Sequence, residues 1–507
     1  MSSAADPARI RIFASRKRTI FIVAMFVVSR CAYLLAGVRF NSHEIWYSFQ
    51  ILPEDLLRHH LLESLYYLHT QPPGFNLLVG LGLVAGGGHI WPLNALFLVM
   101  GLAIAFGVDT LLRLFGVRSR VALVVTTLFV VSPSVVLFEN YLFYDYPLLF
   151  CTVGAVVAAG LFLHRRSSGA LVGCAAFLAA AALLRPTFHP VTVIAALALL
   201  VLVAGAPRVP RRTWITVAIV VLIPVALLVK NAVLFGQPTF SSWVGWNFGH
   251  VTTYAIPIHE RQRLVADGTL SRVALIKPFA PLRKFQSIPG LACRPRPGDP
   301  PVLTRVTKGE GDNPKAAGGV IPNLNNRCYL KIFDKARHDA IAALFASPKT
   351  FVKSEVQGYL EYGIVPASDY HRLGQENLDH ASPARTAEDM VLLTWLSPIS
   401  RSGPVKHLSP LIALAYSLAA LGFVIALRRV WRRRATCTPV DRLALWTGAL
   451  VVYGIVVSYA LDVHENMRFR FPFDPLAIAL AIYALRAVVS LGAESRAQPV
   501  ETTADPS

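Results

Sequence analysis

The chain has 507 residues, of which 54% are hydrophobic and 15% are charged, and its mean hydropathy is +0.51. These values exclude an ordinary water-soluble globular protein and indicate an all-α polytopic membrane protein. The formal net charge is +20, but the basic residues cluster in short gaps between apolar runs. Because such clusters are typical of cytoplasmic loops, we expect no binding to nucleic acid.

About ten apolar runs have the length of roughly 17–25 residues that a membrane-crossing helix needs. They lie near residues 20–38, 92–112, 120–138, 147–163, 169–184, 188–205, 213–231, 409–427, 443–461 and 472–490. The first run follows a basic cluster, as in a signal peptide, but no small-residue cleavage site comes after it. We therefore expect an uncleaved first membrane helix.

The orientation of these helices depends on the shorter run Gly74–Ala85. If it stays on the outer side, the basic clusters fall on the cytoplasmic side, as the positive-inside rule requires. We therefore expect an interfacial or re-entrant helix there, both termini in the cytoplasm and insertion in the cell membrane. The clusters are the N-terminal one, Arg113, Arg118 and Arg120, Arg165 and Arg166, Arg208, Arg211 and Arg212, and Arg428, Arg429, Arg432, Arg433 and Arg434.

This topology divides the chain into four regions. They are an N-terminal membrane module (1–233), an extracytoplasmic region (234–408), C-terminal membrane helices (409–490) and a cytoplasmic tail (491–507). In the first outer loop, leucines at helical spacing from Leu52 to Leu68 predict one helix in the membrane interface.

The extracytoplasmic region contains two kinds of sequence. Residues 277–319 are rich in Pro, Gly, Lys and Arg and predict loop or poorly ordered chain. Residues 329–362 have helical periodicity and predict two helices that are separated at Pro348 and Lys349.

Cys293 and Cys328 are the only cysteines assigned to the outer loops. On an oxidising face they are expected to form a disulfide, with two unpaired thiols as the alternative. The remaining cysteines are expected to pack as small apolar residues, and they are Cys31, Cys151, Cys174 and Cys437. The sequence contains no CxxC or HExxH spacing and hence no strong metal motif.

Glu44 follows the first apolar run within an outer loop, residues 41–76, that is rich in acidic residues and histidines. A carboxylate at this position is suited to take a proton from an acceptor, or to bind a divalent cation together with a phosphate. The alternative is an interfacial anchor beside Trp46 and Tyr47.

Two further carboxylates, Glu139 and Asp145, flank an aromatic turn between two predicted spans. They are candidates to hold an acceptor, and Asp145 is a candidate to hold a metal ion with Glu44. The alternative for Asp145 is a favourable interaction with the positive end of the following helix.

Arginines that face outward are unusual in a chain whose other arginines crowd the predicted cytoplasmic loops. Arg468 and Arg470 alternate with aromatic residues, so in extended chain both guanidinium groups would form one fork for phosphate oxygens. Their neighbours His464 and Glu465 join the predicted substrate-binding set. Arg185 and Lys230 are further candidates for an anionic headgroup, with helix-end anchors as the alternative and the favoured one for Lys230.

The arrangement of these motifs resembles the GT-C glycosyltransferases, in particular the group with protein O-mannosyltransferases and the lipid A aminoarabinose transferase. The residues that carry the resemblance are the acidic first outer loop ending in Gln71-Pro72-Pro73, the turn 139–147, Arg185-Pro186-Thr187, Lys230-Asn231 with the run 241–249, the segment 346–351, and residues 466–475. The proline-rich middle of the chain is not covered.

The resemblance implies an inverting membrane enzyme that takes a sugar from a polyprenyl phosphate and transfers it to a glycan, lipid or protein acceptor. It implies that Arg468 holds the donor phosphate and that Glu139 and Asp145 flank the acceptor, with a divalent cation as an optional cofactor. Family members usually carry an Asp-Glu pair where this chain has His43-Glu44. Either Glu44 takes the catalytic role, or His43 acts as the base, or transferase activity has been lost.

Two other classes of function remain open at this point. A transporter or flippase of lipid-linked sugars would have broken spans with polar residues near the bilayer midplane and paired repeats, and the sequence shows neither. A membrane scaffold would use the extracytoplasmic region for binding and leave the acidic residues idle.

Overall fold

The computed structural model describes residues 15–205, 209–308, 321–396, 408–432, 437–461 and 465–497. The α-helices of the first part are α1 (Arg16–Leu35), α2 (Glu44–Tyr47), α3 (Glu54–His59), α4 (Leu61–Tyr66), α5 (Gly74–Ala85), α6 (Trp91–Leu114), α7 (Ser119–Val131), α8 (Pro133–Glu139), α9 (Asp145–Arg165), α10 (Ser168–Leu184), α11 (Pro190–Ala204) and α12 (Arg211–Phe235).

The second part contains the remaining α-helices. They are α13 (Val244–Val251), α14 (Ile258–Ala266), α15 (Arg283–Gln286), α16 (Pro301–Thr304), α17 (Tyr329–Ala346), α18 (Pro348–Gly358), α19 (Gln375–His380), α20 (Ser382–Val391), α21 (Pro410–Arg432), α22 (Pro439–Tyr459), α23 (Asn466–Arg470) and α24 (Asp474–Ala497). Short 3-10 turns cover Thr253–Ala255, Arg272–Leu275, Ala367–Asp369, His371–Leu373, Thr394–Leu396 and Phe471–Phe473, and Tyr359–Gly363 is a π-helical turn.

The protein is an all-α, multi-pass membrane protein, as predicted. Seven helices in the described part of the chain are long and apolar enough to cross a membrane. Helices α7 and α8 together are also long and apolar enough to form an eighth span. The two are bent by 53° at Ser132, directly before Pro133. Each of the ten predicted runs is helical, but the run 120–138 is divided between α7 and α8, and α10 and α11 have only 17 and 15 residues.

Helix α9 lies at the centre of the membrane bundle, packed against α6, α10 and α22. In this helix 78% of the most apolar window is buried, whereas the corresponding share is 11% in α1 and 17% in α12 and α21. Many Ala and Gly residues on α10 allow it to approach α9 closely. The outer helices of the bundle therefore expose most of their apolar surface for contact with lipid.

Polar contacts tie the helix ends together at one end of the bundle. The Arg18 guanidinium pairs with Asp109, which also lies 3.1 Å from Arg113. Arg486 donates a hydrogen bond to the Phe115 carbonyl, and Arg429 pairs with the helix-capping Asp441. This is the end that carries the loops predicted to be cytoplasmic, whereas the sidedness in the cell membrane remains a prediction.

Residues 234–408, which keep the name extracytoplasmic region from their predicted location, have their own apolar core in the described part, with the buried Trp246 of α13 at its centre. The rings of Phe333 and Phe285 lie 4.9 and 5.8 Å from the Trp246 ring, measured between centroids. A disulfide joins Cys293 to Cys328, as predicted. Helices α17 and α18 are separated at Ser347, before Pro348, which confirms the predicted pair of helices.

The first outer loop differs from its prediction in one respect. The single interfacial helix predicted between Leu52 and Leu68 is two short helices, α3 and α4, because the backbone leaves the helical conformation at His60. Leu56 and Leu57 are buried against α5. With 12 residues, α5 is too short to span a bilayer, in agreement with the prediction that it does not cross.

Candidate active site

A cavity of about 620 Å³ lies between the outer ends of the membrane helices and the extracytoplasmic region. Its membrane side is cationic, with three arginines and one acid, and its opposite side is aromatic. The membrane side is lined by Tyr144, Arg185, Arg372, Glu465, Arg468 and Phe469. The aromatic side is lined by Phe49, Trp243, Tyr254 and Phe279, and His250, Arg261 and Lys277 line the cavity beside them.

Arg468 is the centre of the cationic side and is only 2% exposed. It donates hydrogen bonds of 2.9 and 3.1 Å to the hydroxyls of Tyr370 and Tyr144. A terminal nitrogen lies 3.0 Å from the Glu465 carboxylate, and Nε lies 3.4 Å from Asp145. Its orientation is therefore determined from four directions.

Arg185 follows the last turn of α10 and lies beside Arg468 in the same wall. It is 3.8 Å from the other oxygen of Asp145, and its guanidinium lies 4.0 Å above the Phe469 ring. Asp145 begins α9 and is fully buried, so it balances part of the charge of both arginines. The cavity thus holds arginines whose repulsion is reduced by acids that lie behind them.

Glu44 is the first residue of α2 and is 8% exposed. Burial raises the pKa of this carboxyl group, whereas Arg372, the Tyr141 hydroxyl, Lys308 and Arg468 lower it. Within the described residues, Glu44 has no ion-pair partner at 4 Å or less, unlike Asp145 and Glu465. The nearby cations offset the effect of burial only in part, so the pKa of Glu44 stays raised and this carboxylate is a candidate to accept a proton.

Lys308 reaches from the extracytoplasmic region into the first outer loop. Its ammonium group donates hydrogen bonds of 2.7 and 2.6 Å to the carbonyls of Ile45 and Ser48, at the end of α2. Burial lowers the pKa of Lys308 to about 7, and the nearby Glu44 raises it. Lys308 therefore fixes the position of α2 and contributes charge beside Glu44.

His43 and Glu44 point to different surroundings. The His43 side chain is exposed, and its ring contacts Tyr47 at a centroid distance of 6.3 Å. Glu44, the next residue, is directed inward. The arrangement brings Glu44, and not His43, into the electrostatic neighbourhood of the cavity arginines.

The predicted fork of Arg468 and Arg470 is wrong. Residues 466–470 form the helix α23 instead of extended chain, so the two side chains lie about 200° apart around its axis. Arg470 pairs with Asp474 at 3.0 Å and donates to the carbonyls of Gly363 and Val365. It lines a separate apolar cavity of about 630 Å³ between α7, α20, α21 and α24.

Two other predicted residues lie away from the cationic cavity. Glu139 is buried in an ion pair with Arg30, at 2.7 Å, and accepts a hydrogen bond of 2.6 Å from the Tyr146 hydroxyl. Lys230 donates a hydrogen bond of 2.6 Å to the Leu68 carbonyl, which is the anchoring role favoured for it from the sequence. Both sets of contacts are those of residues that hold helices together.

Of the remaining predicted residues, Glu465 lines the cavity, and His464 lies outside the described residues. Glu465 pairs with Arg468 and lies 3.8 Å from Arg372, so it links two arginines of the cavity. Glu465 therefore holds the side chains of Arg468 and Arg372 in position.

The residues present do not fit a divalent cation. The described part of the chain contains no group of three or more His, Cys, Asp or Glu side chains placed to hold a metal ion. Asp145 faces two arginines, and the charge of Glu44 is influenced by three cationic side chains. A cation at either acid would meet strong repulsion.

Sequence reasoning missed several residues of this site, among them Arg372, Lys308 and Tyr370. Arg372 and Tyr370 come from the segment before α19, far from the other motifs in sequence. Their only local signal was the charge of an arginine in a segment predicted to be outside. Their proximity to Arg468 follows from the tertiary packing.

His69 joins the first outer loop to the extracytoplasmic region. Its ring nitrogens lie 2.8 Å from the Ser242 hydroxyl and 3.0 Å from the Asn325 carbonyl. Ser241 also donates a hydrogen bond of 2.6 Å to the Thr70 carbonyl. These buried contacts place Gln71 in the wall of the cavity.

Neither a protein-family profile nor a curated protein sequence matches the chain. Among solved structures, the chain is similar to the S. cerevisiae protein O-mannosyltransferase Pmt1-Pmt2 complex bound to the sugar donor. The similarity covers 48% of this chain and 38% of the solved chain, with 18% sequence identity and a TM-score of 0.32. At this level of similarity, the roles of the residues in this chain rest on the geometry of the cavity.

Proposed function

We propose that this protein is a membrane glycosyltransferase that uses a polyprenyl-phosphate sugar as donor and acts on the extracytoplasmic side. The observation that carries the proposal is the convergence of Arg185, Arg372 and Arg468 on one cavity at the ends of membrane helices. A lipid phosphate in the outer leaflet would place its charge at this height, and its hydrocarbon chain would remain among the helices.

The arginines bind the donor phosphate and stabilise it as it departs. Arginine presents a planar set of donors that matches phosphate oxygens, and donors that are already oriented stabilise developing charge with little reorganisation. Arg468 is oriented in advance by two tyrosines and two acids. It is therefore the residue we place closest to the leaving oxygen.

Glu44 takes the proton of the acceptor. The acceptor oxygen attacks the anomeric carbon, the bond between that carbon and the phosphate oxygen breaks, and the polyprenyl phosphate leaves with the electron pair. Glu44 does not itself line the cavity. Arg372 does line it, and its positive charge lowers the pKa of Glu44. The Arg372 side chain is 43% exposed.

The proposal is tested with the full chain in proteoliposomes that contain a polyprenyl-phosphate sugar and a membrane extract as acceptor source. Release of polyprenyl phosphate is measured for the unchanged chain, Glu44→Gln and Arg468→Ala. Glu63→Gln is the matched control, because Glu63 is in the same loop but its side chain is 48% exposed. We expect loss of about 100-fold or more for Glu44→Gln, the usual contribution of a general base. Full activity in both site variants would refute the proposal.

A flippase of lipid-linked sugars is the second candidate, since the same cationic cavity would suit binding without chemistry. In the same vesicles it would move the labelled donor between leaflets without releasing polyprenyl phosphate. A scaffold would do neither, and its variants at Glu44 and Arg468 would change only the binding of a partner.

A further inference from the structure

The aromatic side of the cavity has a geometry that the phosphate-binding role does not explain. Phe49, from the first outer loop, stacks on Phe279, from the extracytoplasmic region, with a centroid distance of 5.1 Å and an interplanar angle of 12°. The Trp243 ring meets Phe279 edge to face at 5.6 Å. All three line the cavity.

Phe279 is held in an unusual backbone conformation. Its φ of 59° is in the left-handed region, which bulky side chains rarely adopt. Contacts with Phe49, Trp243 and Trp246 hold the ring in place. Strained residues of this kind persist where surrounding structure enforces them, and they concentrate at ligand-binding sites.

Amide side chains lie beside the aromatic rings. Gln71 and Asn247 line the cavity, and in the described residues neither amide group has a hydrogen-bond partner. Gln71 is only 7% exposed, so its amide is largely removed from bulk water. A buried amide of this kind gains most from a ligand that offers both hydroxyl donors and acceptors.

We propose that this aromatic wall binds the saccharide of a glycan acceptor. A sugar ring has an apolar face of C–H groups, which packs on an aromatic ring, and a rim of hydroxyls, which bonds to amides. Arg261 and Lys277 also line this side of the cavity, so the assignment to a sugar rests on the aromatic rings and on the amides without partners. The identification of the bound sugar as the acceptor rests on the proposed function, whereas the binding of a sugar at this wall does not depend on it.

The stacked pair also connects the proposed sugar site to the loop that carries the base. Phe49 and Glu44 are in the same loop, on either side of the carbonyls that receive the Lys308 ammonium group. A sugar resting on Phe49 and Phe279 is thereby held by the loop that carries Glu44.

The test is direct binding of phosphate-free sugars by the purified full chain in nanodiscs, without donor or turnover. The probes are trisaccharides of mannose, glucose, galactose, arabinose and N-acetylglucosamine, measured by calorimetry and saturation-transfer NMR. We expect one or more to bind, with at least tenfold weaker binding for Phe279→Leu and Asn247→Ala. Phe285→Leu is the matched control, because Phe285 is in the same aromatic cluster but is fully buried and does not line the cavity.

The outcomes separate this inference from the proposed function. Unchanged sugar binding by Arg372→Ala would support an acceptor site that is independent of the phosphate site, even if no transfer activity is found. The inference is overturned if no trisaccharide binds at millimolar concentration, if only phosphorylated sugars bind, or if a Ser- and Thr-rich peptide binds instead. It is also overturned if Phe285→Leu weakens binding as much as Phe279→Leu while both variants keep the same melting temperature.

Discussion

Replacing Arg372 by alanine separates ligand binding from folding better than any other change at the cationic cavity. Its side chain is 43% exposed, and its contact with Glu465, at 3.8 Å, is a long one. A partly exposed ion pair contributes only about 0–1 kcal/mol to stability. We therefore expect Arg372→Ala to fold and to melt close to the unchanged protein.

Arg372→Ala should change the affinity for the donor phosphate much more than it changes stability. A charge-assisted hydrogen bond to phosphate contributes about 1.5–3 kcal/mol, which corresponds to a loss of about 10- to 150-fold in affinity. Binding of a polyprenyl phosphate to the full chain in nanodiscs would be measured by calorimetry, with the melting temperature as the folding readout. Raising the salt concentration should reduce the difference between the two proteins, because a partly exposed charge is screened.

Arg305→Ala is the matched control for this measurement. The Arg305 side chain is 40% exposed and also contacts a carboxylate, that of Asp55, at 2.8 Å, but it does not line the cavity. If Arg305→Ala and Arg372→Ala weaken the binding of polyprenyl phosphate equally, the effect comes from net charge alone. That result would refute the assignment of Arg372 to the phosphate site.

Three further changes test other parts of the structure. Activity should fall as Glu44 becomes protonated at low pH. Because Arg372 lowers the pKa of Glu44, Arg372→Ala should move the acidic limb of the pH–rate profile to higher pH. An acidic limb that does not move would contradict the role of Glu44 as base. Cys293→Ser opens a loop of 35 residues that the disulfide to Cys328 closes. It should lower the free energy of unfolding of the extracytoplasmic region by about 4 kcal/mol, measured by denaturant-dependent proteolysis. An unchanged unfolding transition would show that the disulfide is dispensable. Arg470→Met removes one partner of a buried ion pair and should destabilise the protein by about 3–5 kcal/mol in thermal unfolding, with donor affinity unchanged; weaker donor binding at equal stability would contradict its separation from the cavity.

The membrane helices could be predicted because their signal is local. A long apolar run must satisfy its backbone within itself, so length and composition alone predict a helix. The disulfide followed from sidedness, since only Cys293 and Cys328 fall in outer loops. The two helices around Pro348 followed from periodicity and a residue that ends helices.

The site was less predictable because its contacts are distant in sequence. The alternation of Arg468 and Arg470 with Phe suggested extended chain, but Gly363 and Val365 offer carbonyls to Arg470 on one side and Tyr370 offers a hydroxyl to Arg468 on the other. These tertiary contacts favour a five-residue helix that the local pattern did not indicate. In the same way, no local feature distinguishes Lys308 from the other basic residues of its loop.

The buried contacts of His69 have a consequence for the behaviour of the protein in acid. Burial lowers the pKa of this imidazole to about 3, whereas in an unfolded chain it would be near 6.5. Between about pH 6.5 and 3, the unfolded chain therefore binds a proton at His69 that the folded chain does not bind. Folding stability falls as the pH drops through this range. The contact between the first outer loop and the extracytoplasmic region thus works as an acid-labile clasp. The stability that the neutral His69 contributes is therefore fully present above about pH 6.5 and is lost as the pH falls towards 3.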